Sequence, residues 1–192
     1  MNKFVEKTAE NFETTQKTTN AWEQKNSKEV IEIYSIKNKD NKSLRSFSVT
    51  NKHGFVLQKE FFSNGGIAVN GQKKNSKIIM KNSFAFNPSR INVGSIALFR
   101  FDENGLISNI YETFKTKNDV SENFMNLYFS TTYFKHVIQS NSSIGVRSKF
   151  TFKDDKCIYF AIPLIEEQNK IFLLINTINS SISLLQCKPK TC

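Results

Sequence analysis

The residues best equipped for chemistry lie in "NSFAFNPSRINVGSIALFRF", residues 82–101, where Asn87, Ser89, Arg90 and Asn92 sit between two phenylalanine-rich runs. A guanidinium pairs with phosphate, or bidentately with guanine, and an asparagine or glutamine amide matches the edge of adenine. Further along, "VRSKFTF" sets Arg147 and Lys149 among apolar residues. Upstream, Lys52, Gln58 and the pair Lys73-Lys74 lie in or beside turn-prone stretches. These ten, with Arg100, are the candidates for contact with a polyanion. For any one of them the competing assignment is a solvated charge or a turn hydrogen bond.

Catalytic chemistry finds little support. The seven glycines form no GxG, and no GxxxxGK[ST] occurs, so neither a dinucleotide loop nor a phosphate-binding loop is indicated. His53 and His136 are far apart and lack metal-ligand spacing; one fits a turn and the other a helix surface. Cys157, Cys187 and Cys192 form no CxxC pair and leave one over, which fits a reducing cytosol better than a disulfide framework. Cys157 falls in the apolar run "CIYFAI" and reads as a small buried residue. Asn87-Pro88-Ser89-Arg90 superficially resembles the Asn-Pro-Pro-aromatic loop of amino-methyltransferases, but the aromatic that holds a flipped base is missing. The expectation is a non-enzyme with no catalytic residue, no metal and no cofactor.

The elements around these residues read as an α+β fold. Residues 1–27 are polar, with Phe4, Phe12 and Trp22 as the large aromatics, and form a leader that is partly helical or loose. Residues 28–163 form the main domain. "EVIEIYSI" alternates like a half-buried strand. "SFSV", "GFVLQ", "SKIIM", "SFAF", "SIALFRF" and "LISNIYETF" follow as short strands. "TNKHG" and Asn87-Pro88 mark turns, Asn104-Gly105 signals a hairpin, and "GGIAVNGQKKN" is a loop. The period then changes: "DVSENFMNLYFSTTYFKHVI" predicts one helix with Phe124, Leu127, Tyr128, Phe134, Val137 and Ile138 on its apolar face. In residues 164–192, Glu166 and Glu167 open a second helix where its dipole favours anions. Ile171, Ile175, Ile178, Ile182 and Leu185 then recur at spacings of four, three, four and three, a heptad seam that can dock on its own core or on another chain.

Composition sets the outer bounds. The chain has 192 residues, enough for one domain with a sizeable core, and 18 phenylalanines supply much of its apolar content. Lys+Arg outnumber Asp+Glu by 27 to 17, giving a net charge of +10, which fits a nucleic-acid partner or simply a basic, Lys-rich composition. "MNKFVEKTAENFETTQ" has no signal-peptide core, and no apolar stretch reaches the ~18 residues of a membrane span, so a cytoplasmic, non-membrane protein is expected.

"FSVTNKHGFVLQKEFF", "KNSFAFNPSRINVGSIALF", "GLISNIYETFK", "FMNLYFSTTYFKHVI", "SIGVRSKFTF" and "IPLIEEQNKI" occur in that order. Over residues 22 to 178 this series closely resembles one target-recognition domain of the DNA specificity subunit of type I restriction-modification systems. The resemblance implies sequence-specific recognition of double-stranded DNA without catalysis. Such subunits carry two domains, each reading half of a bipartite target, held apart by paired helices on which methyltransferase subunits dock. It also implies that the Asn-Pro turn and Arg90 order a loop on the DNA side. Two departures stand out. There is one recognition domain, and the helix expected to continue after Gln168 degenerates into "NSSISLLQCKPKTC", a shortened spacer that Pro189 ends. A half-subunit that restores two domains by homodimerising through the C-terminal helix fits this. So does a truncated cassette, or an interaction protein that pairs with other specificity or methyltransferase subunits.

Overall fold

The computed structural model describes residues 22–63, 73–142, 149–153 and 158–186. Arg147, Cys157 and the leader up to residue 21 lie outside them. At the centre is a four-stranded antiparallel sheet. Its strands are β2 (Ile31–Tyr34), β10 (Glu112–Thr116), β7 (Ser83–Phe86) and β8 (Ile96–Phe99), in that spatial order. Three smaller sheets surround it. β4 (Phe47–Thr50) and β5 (Gly54–Leu57) form a hairpin. β3 (Ile36–Lys37), β6 (Lys77–Ile79) and β9 (Gly105–Ile107) form the second. β1 (Glu23–Asn26) pairs with β11 (Tyr159–Ile162).

The mixed α+β class is as the sequence indicates, and the pleat explains why the phenylalanine runs are strands. Neighbouring residues on β7 point to opposite faces. Phe84 and Phe86, with Leu98 of β8 and Phe114 of β10, enter one core under the helices. Ala85, Ala97 and Phe99 enter a second core beneath the β4–β5 hairpin, with Phe47, Val49 and Tyr111. Small alanines on that face let the hairpin approach. All four residues of β7 are therefore buried, which is why its sequence shows no polar alternation. Phe84 stacks on Phe114 at 5.0 Å, and Phe86, Phe129 and Phe152 meet this pair at steep angles. Ring pairs of this kind add about 0.5–1.5 kcal/mol beyond area burial. Gly105 is required by contact: a Cβ there would lie 2.5 Å from the Phe47 ring.

Several expectations are corrected. The described end of the leader is not loose: Glu23–Asn26 is a strand, followed by the one-turn helix α1 (Ser27–Val30), which Asn26 caps with a capping box to Glu29. "GFVLQ" ends as a strand at Leu57, and Gln58 opens the short helix α2 (Gln58–Phe61). The Asn104-Gly105 signal makes no hairpin, because β8 and β9 belong to different sheets. "LISNIYETF" divides into β9 and β10. The single helix predicted over 119–138 is two, α3 (Glu122–Tyr128) and α4 (Thr132–Asn141). Thr131 accepts from the Phe134 amide at 3.2 Å and starts α4, since a hydroxyl at this point competes for the backbone. Phe124, Tyr128, Phe134 and Ile138 are nonetheless buried as the helical spacing requires.

The last helix, α5 (Ile165–Gln186), stands where the heptad spacing predicts it. Its root is held by Gln168, which is fully buried. The Gln168 Oε1 accepts from the Ser121 amide at 2.7 Å, and its Nε2 donates to the Pro163 and Asp119 carbonyls at 2.8 and 3.0 Å. Trp22 donates to Glu167 Oε1 at 3.1 Å and packs edge-on against Phe124. Beyond that root α5 leaves the domain. No described helix is long and apolar enough to cross a membrane.

Candidate nucleic-acid interface

One end of the central sheet collects the candidate residues. β7 and β8 are joined there by residues 87–95. The Asn87 Oδ1 accepts from the Ser89 amide at 3.0 Å, so Asn87 is the turn-former rather than a reader. The Asn87 amide donates to the Ser95 carbonyl, and the Arg90 amide returns to the Asn87 carbonyl at 2.9 Å. A 3-10 turn, Ile91–Val93, follows, with Ile91 buried beneath it as an anchor. Gly94 closes it at φ 86°, a left-handed backbone that suits glycine. Held this way, Ser89, Arg90 and Asn92 stand exposed on the outer surface.

Two neighbouring segments complete that end. The tip of the β4–β5 hairpin, residues 51–53, carries exposed Lys52, and a Cβ on Gly94 would lie 3.5 Å from that of Asn51. On the other side the Phe150 amide donates to the Pro88 carbonyl at 3.1 Å, so exposed Lys149 stands next to the Asn-Pro turn. Thr151 donates to Glu112 at 2.8 Å and carries the chain to exposed Lys153. Lys77, at the start of β6, donates to the Tyr111 carbonyl at 2.6 Å. Its ammonium is held below the usual lysine range, first by partial burial and then by repulsion from Lys153 and Lys37, with Glu112 opposing. Lys73 and Lys74 lie on the 3-10 turn Lys73–Asn75 that leads into β6; Lys74 is exposed and Lys73 half-buried.

Lys52, Ser89, Arg90, Asn92 and Lys149 therefore come together, and Lys73 and Lys74 adjoin them through β6. Gln58 does not belong to this set. It is 5% exposed, and its Nε2 donates to the Phe47 carbonyl and to Ser48 Oγ, so it fixes the base of the hairpin. The Asn51, Lys37 and Lys153 side chains at this end were not among the sequence candidates. Alternation of "SIKNK" and proximity of Lys153 to the Arg147–Lys149 segment were the available signals. Among the described residues no group of three or more His, Cys, Asp or Glu could hold a metal. His53 lies in the hairpin turn and His136 on the exposed side of α4.

The second candidate surface is α5. Ile171 packs against the main core, but Ile175, Ile178, Ile182 and Leu185 are 37%, 45%, 46% and 66% exposed, so the seam is not covered by the chain's own core. At the root it runs into an apolar groove of about 570 Å³ lined by Trp22, Leu127, Tyr128, Tyr133, Ile171 and Ile175.

No family model and no curated protein matches the sequence. Solved structures do. One is a chain of a type I R-M system studied for its complex assembly and conformational transition; it superimposes with a TM-score of 0.58 at 14% identity, over 86% of this chain and 40% of that one. Another is the HsdS subunit from Thermoanaerobacter tengcongensis, with a TM-score of 0.61 at 14% identity, over 87% of this chain and 44% of that one. At that identity the likeness is one of fold: the chain is built as part of an HsdS subunit is, and it spans about two fifths of the length of the structures it matches.

Proposed function

We propose that this chain is a non-catalytic specificity module that binds double-stranded DNA sequence-specifically and directs a type I methyltransferase to one half of a bipartite target. The observation that carries the reading is the gathering of exposed Lys52, Arg90, Lys149, Lys153 and Lys74 at one end of a fold shared with HsdS. Cations there neutralise phosphates and fix the register, while the protruding 87–95 connection brings Arg90 and Asn92 to the base edges. Ser89 contributes a hydroxyl for phosphate or base. Arg147, the remaining sequence candidate, lies outside the described residues.

The exposed seam of α5 supports a second part of the proposal: two copies pair through Ile175, Ile178, Ile182 and Leu185, presenting two recognition ends to one duplex. Each such side chain gains about 1.5–3 kcal/mol on full burial, a gain the isolated chain forgoes. The same surface is the docking candidate for a methyltransferase subunit.

The deciding experiment is long-read methylation sequencing of cells that hold a type I methyltransferase subunit, with and without this chain. A bipartite adenine-methylated motif that appears only with the chain is the expected result. Its absence, together with DNA binding indifferent to salt, would sink the reading. Sedimentation of the wild type against Ile178→Asp/Ile182→Asp tests pairing separately: the wild type should sediment as a dimer and the variant as a monomer.

A further inference from the structure

A cleft of about 440 Å³ opens beside the 87–95 connection, between the tip of the β4–β5 hairpin and helices α3 and α4. Val93, Ile96 and Phe129 contribute its apolar surface, and Asn51, Asn92, Asn126, Ser130 and Lys135 its polar one. The three asparagines come from three separate elements: the hairpin turn, the 3-10 turn and α3. Their amides differ from those that build the fold. Asn26 accepts from the Lys28 amide, Asn38 bridges the Lys42 backbone and the Lys73 carbonyl, and Asn87 accepts from Ser89. The side chains of Asn51, Asn92 and Asn126 make no hydrogen bond among the described residues. Their donors and acceptors are thus available to a ligand, and they line one cleft.

We infer that this cleft is a base-reading site, in which the asparagine amides select sequence, favouring adenine, while Lys135 neutralises a flanking phosphate. The inference rests on the DNA-binding reading above and deepens it. A primary amide offers a donor and an acceptor side by side, which matches N6 and N7 of adenine in the major groove; guanine offers two acceptors there and satisfies only half of the amide. The apolar lining of Phe129 and Ile96 suits the thymine methyl group of the same base pair. Lys135 is exposed and makes no ion pair among the described residues, so it meets a phosphate without first breaking one.

The test selects from a random duplex pool and sequences what binds, using the full chain as wild type, Asn92→Ala, Asn126→Ala, Asn92→Asp and Lys135→Ala. The wild type should enrich a motif containing adenine–thymine pairs. Asn92→Ala and Asn126→Ala should each lose preference at one of those positions, roughly tenfold, with an unchanged salt slope. Asn92→Asp should move the preference at its position from adenine towards cytosine, because a carboxylate only accepts. No folding defect can produce that change. Lys135→Ala should keep the motif and flatten the slope of log affinity against log salt by about 0.9. A motif shared unchanged by the wild type and every asparagine variant overturns this inference and leaves the DNA-binding reading intact. A wild type that binds duplex DNA but enriches no motif overturns both.

Discussion

The two ends of the central sheet are built from the same strands and differ in what several of their cations do, although exposed Arg100 at the far end also makes no ion pair among the described residues. At the far end, Lys81 pairs with Asp102 at 2.7 Å, and Arg45 pairs with Glu103 while lying over the rings of Phe47 and Phe101. The Lys81 ammonium beside it holds the Asp102 carboxyl below the usual carboxylate range. At the 87–95 end, Lys52, Arg90 and Lys153 stand exposed without a carboxylate partner among the described residues, and Lys77 is crowded by like charge. Charge that is neutralised within the fold serves the fold; charge left unmatched is available to an outside anion. Net charge alone is blind to this division. Lys73, Lys74, Lys77 and Lys81 look like one cluster in the sequence, yet Lys81 belongs to the opposite end.

The comparison can be broken from beneath. Phe114 is fully buried on the central strand β10, in the core under the helices that also holds Ile91 of the 87–95 connection. Phe114→Ala should cost about 3–5 kcal/mol in denaturant unfolding and weaken both ends together. A loss well under 1 kcal/mol would mean that the ends rest on independent cores.

It sharpens with charge reversal. Arg90→Glu/Lys153→Glu should reduce duplex affinity on the order of a hundredfold at low salt and lower the salt slope. Lys81→Glu should change it little. Equal losses from both variants, read by fluorescence anisotropy across a salt series, would erase the distinction between the ends.

Gln58 tests support at the base of the hairpin whose tip carries Lys52. Gln58→Ala removes two buried hydrogen bonds and should cost about 1–3 kcal/mol in stability, with the selected DNA motif unchanged. A changed motif in a stably folded variant would return Gln58 to the contact surface.

A smaller effect concerns pH. Burial pushes the Tyr128 hydroxyl up to about 12. A folded pKa above the unfolded one stabilises the fold below the unfolded value and loses that stabilisation as pH rises through the folded one. Thermal melts should therefore fall between pH 10 and 12, less steeply in Tyr128→Phe. Identical slopes would assign the alkaline loss to other groups.

Arg45→Ala should have the smallest effect of all, at most about 1 kcal/mol in stability and none on DNA affinity, since an exposed ion pair contributes little. A drop in affinity matching that of Arg90→Ala would place Arg45 in the interface as well.

Much of the frame was legible because it rests on local physics. Continuous apolar runs bounded by turn residues gave the buried strands, and the heptad spacing gave α5. The break between α3 and α4 was hidden because "STT" fits a helix by period and a cap by chemistry, and only the Thr131 hydrogen bond chooses. Gln58 misled because an amide in an alternating strand serves a buried carbonyl as well as a base. Asn126 was overlooked because it sits between Met125 and Leu127 on a helix chosen for its apolar face; Asn123 and Asn126, three residues apart, marked the other face. The sheet ends could not be told apart without topology, since pairing joins residues far apart in sequence, such as Arg45 and Glu103.

Gln168 has one more consequence. Two of its three hydrogen bonds, to Ser121 and Asp119, lock α5 to the start of α3, whose other end borders the asparagine cleft. A locked joint converts helix length into phase. Each residue inserted between Gln168 and Ile178 would turn the apolar seam by about 100° and advance it by about 1.5 Å, and nothing at the joint would absorb the error. Length changes in α5 should therefore disturb the seam's bearing least in steps of seven or eleven, each of which returns it to within about 20° of its bearing relative to the cleft.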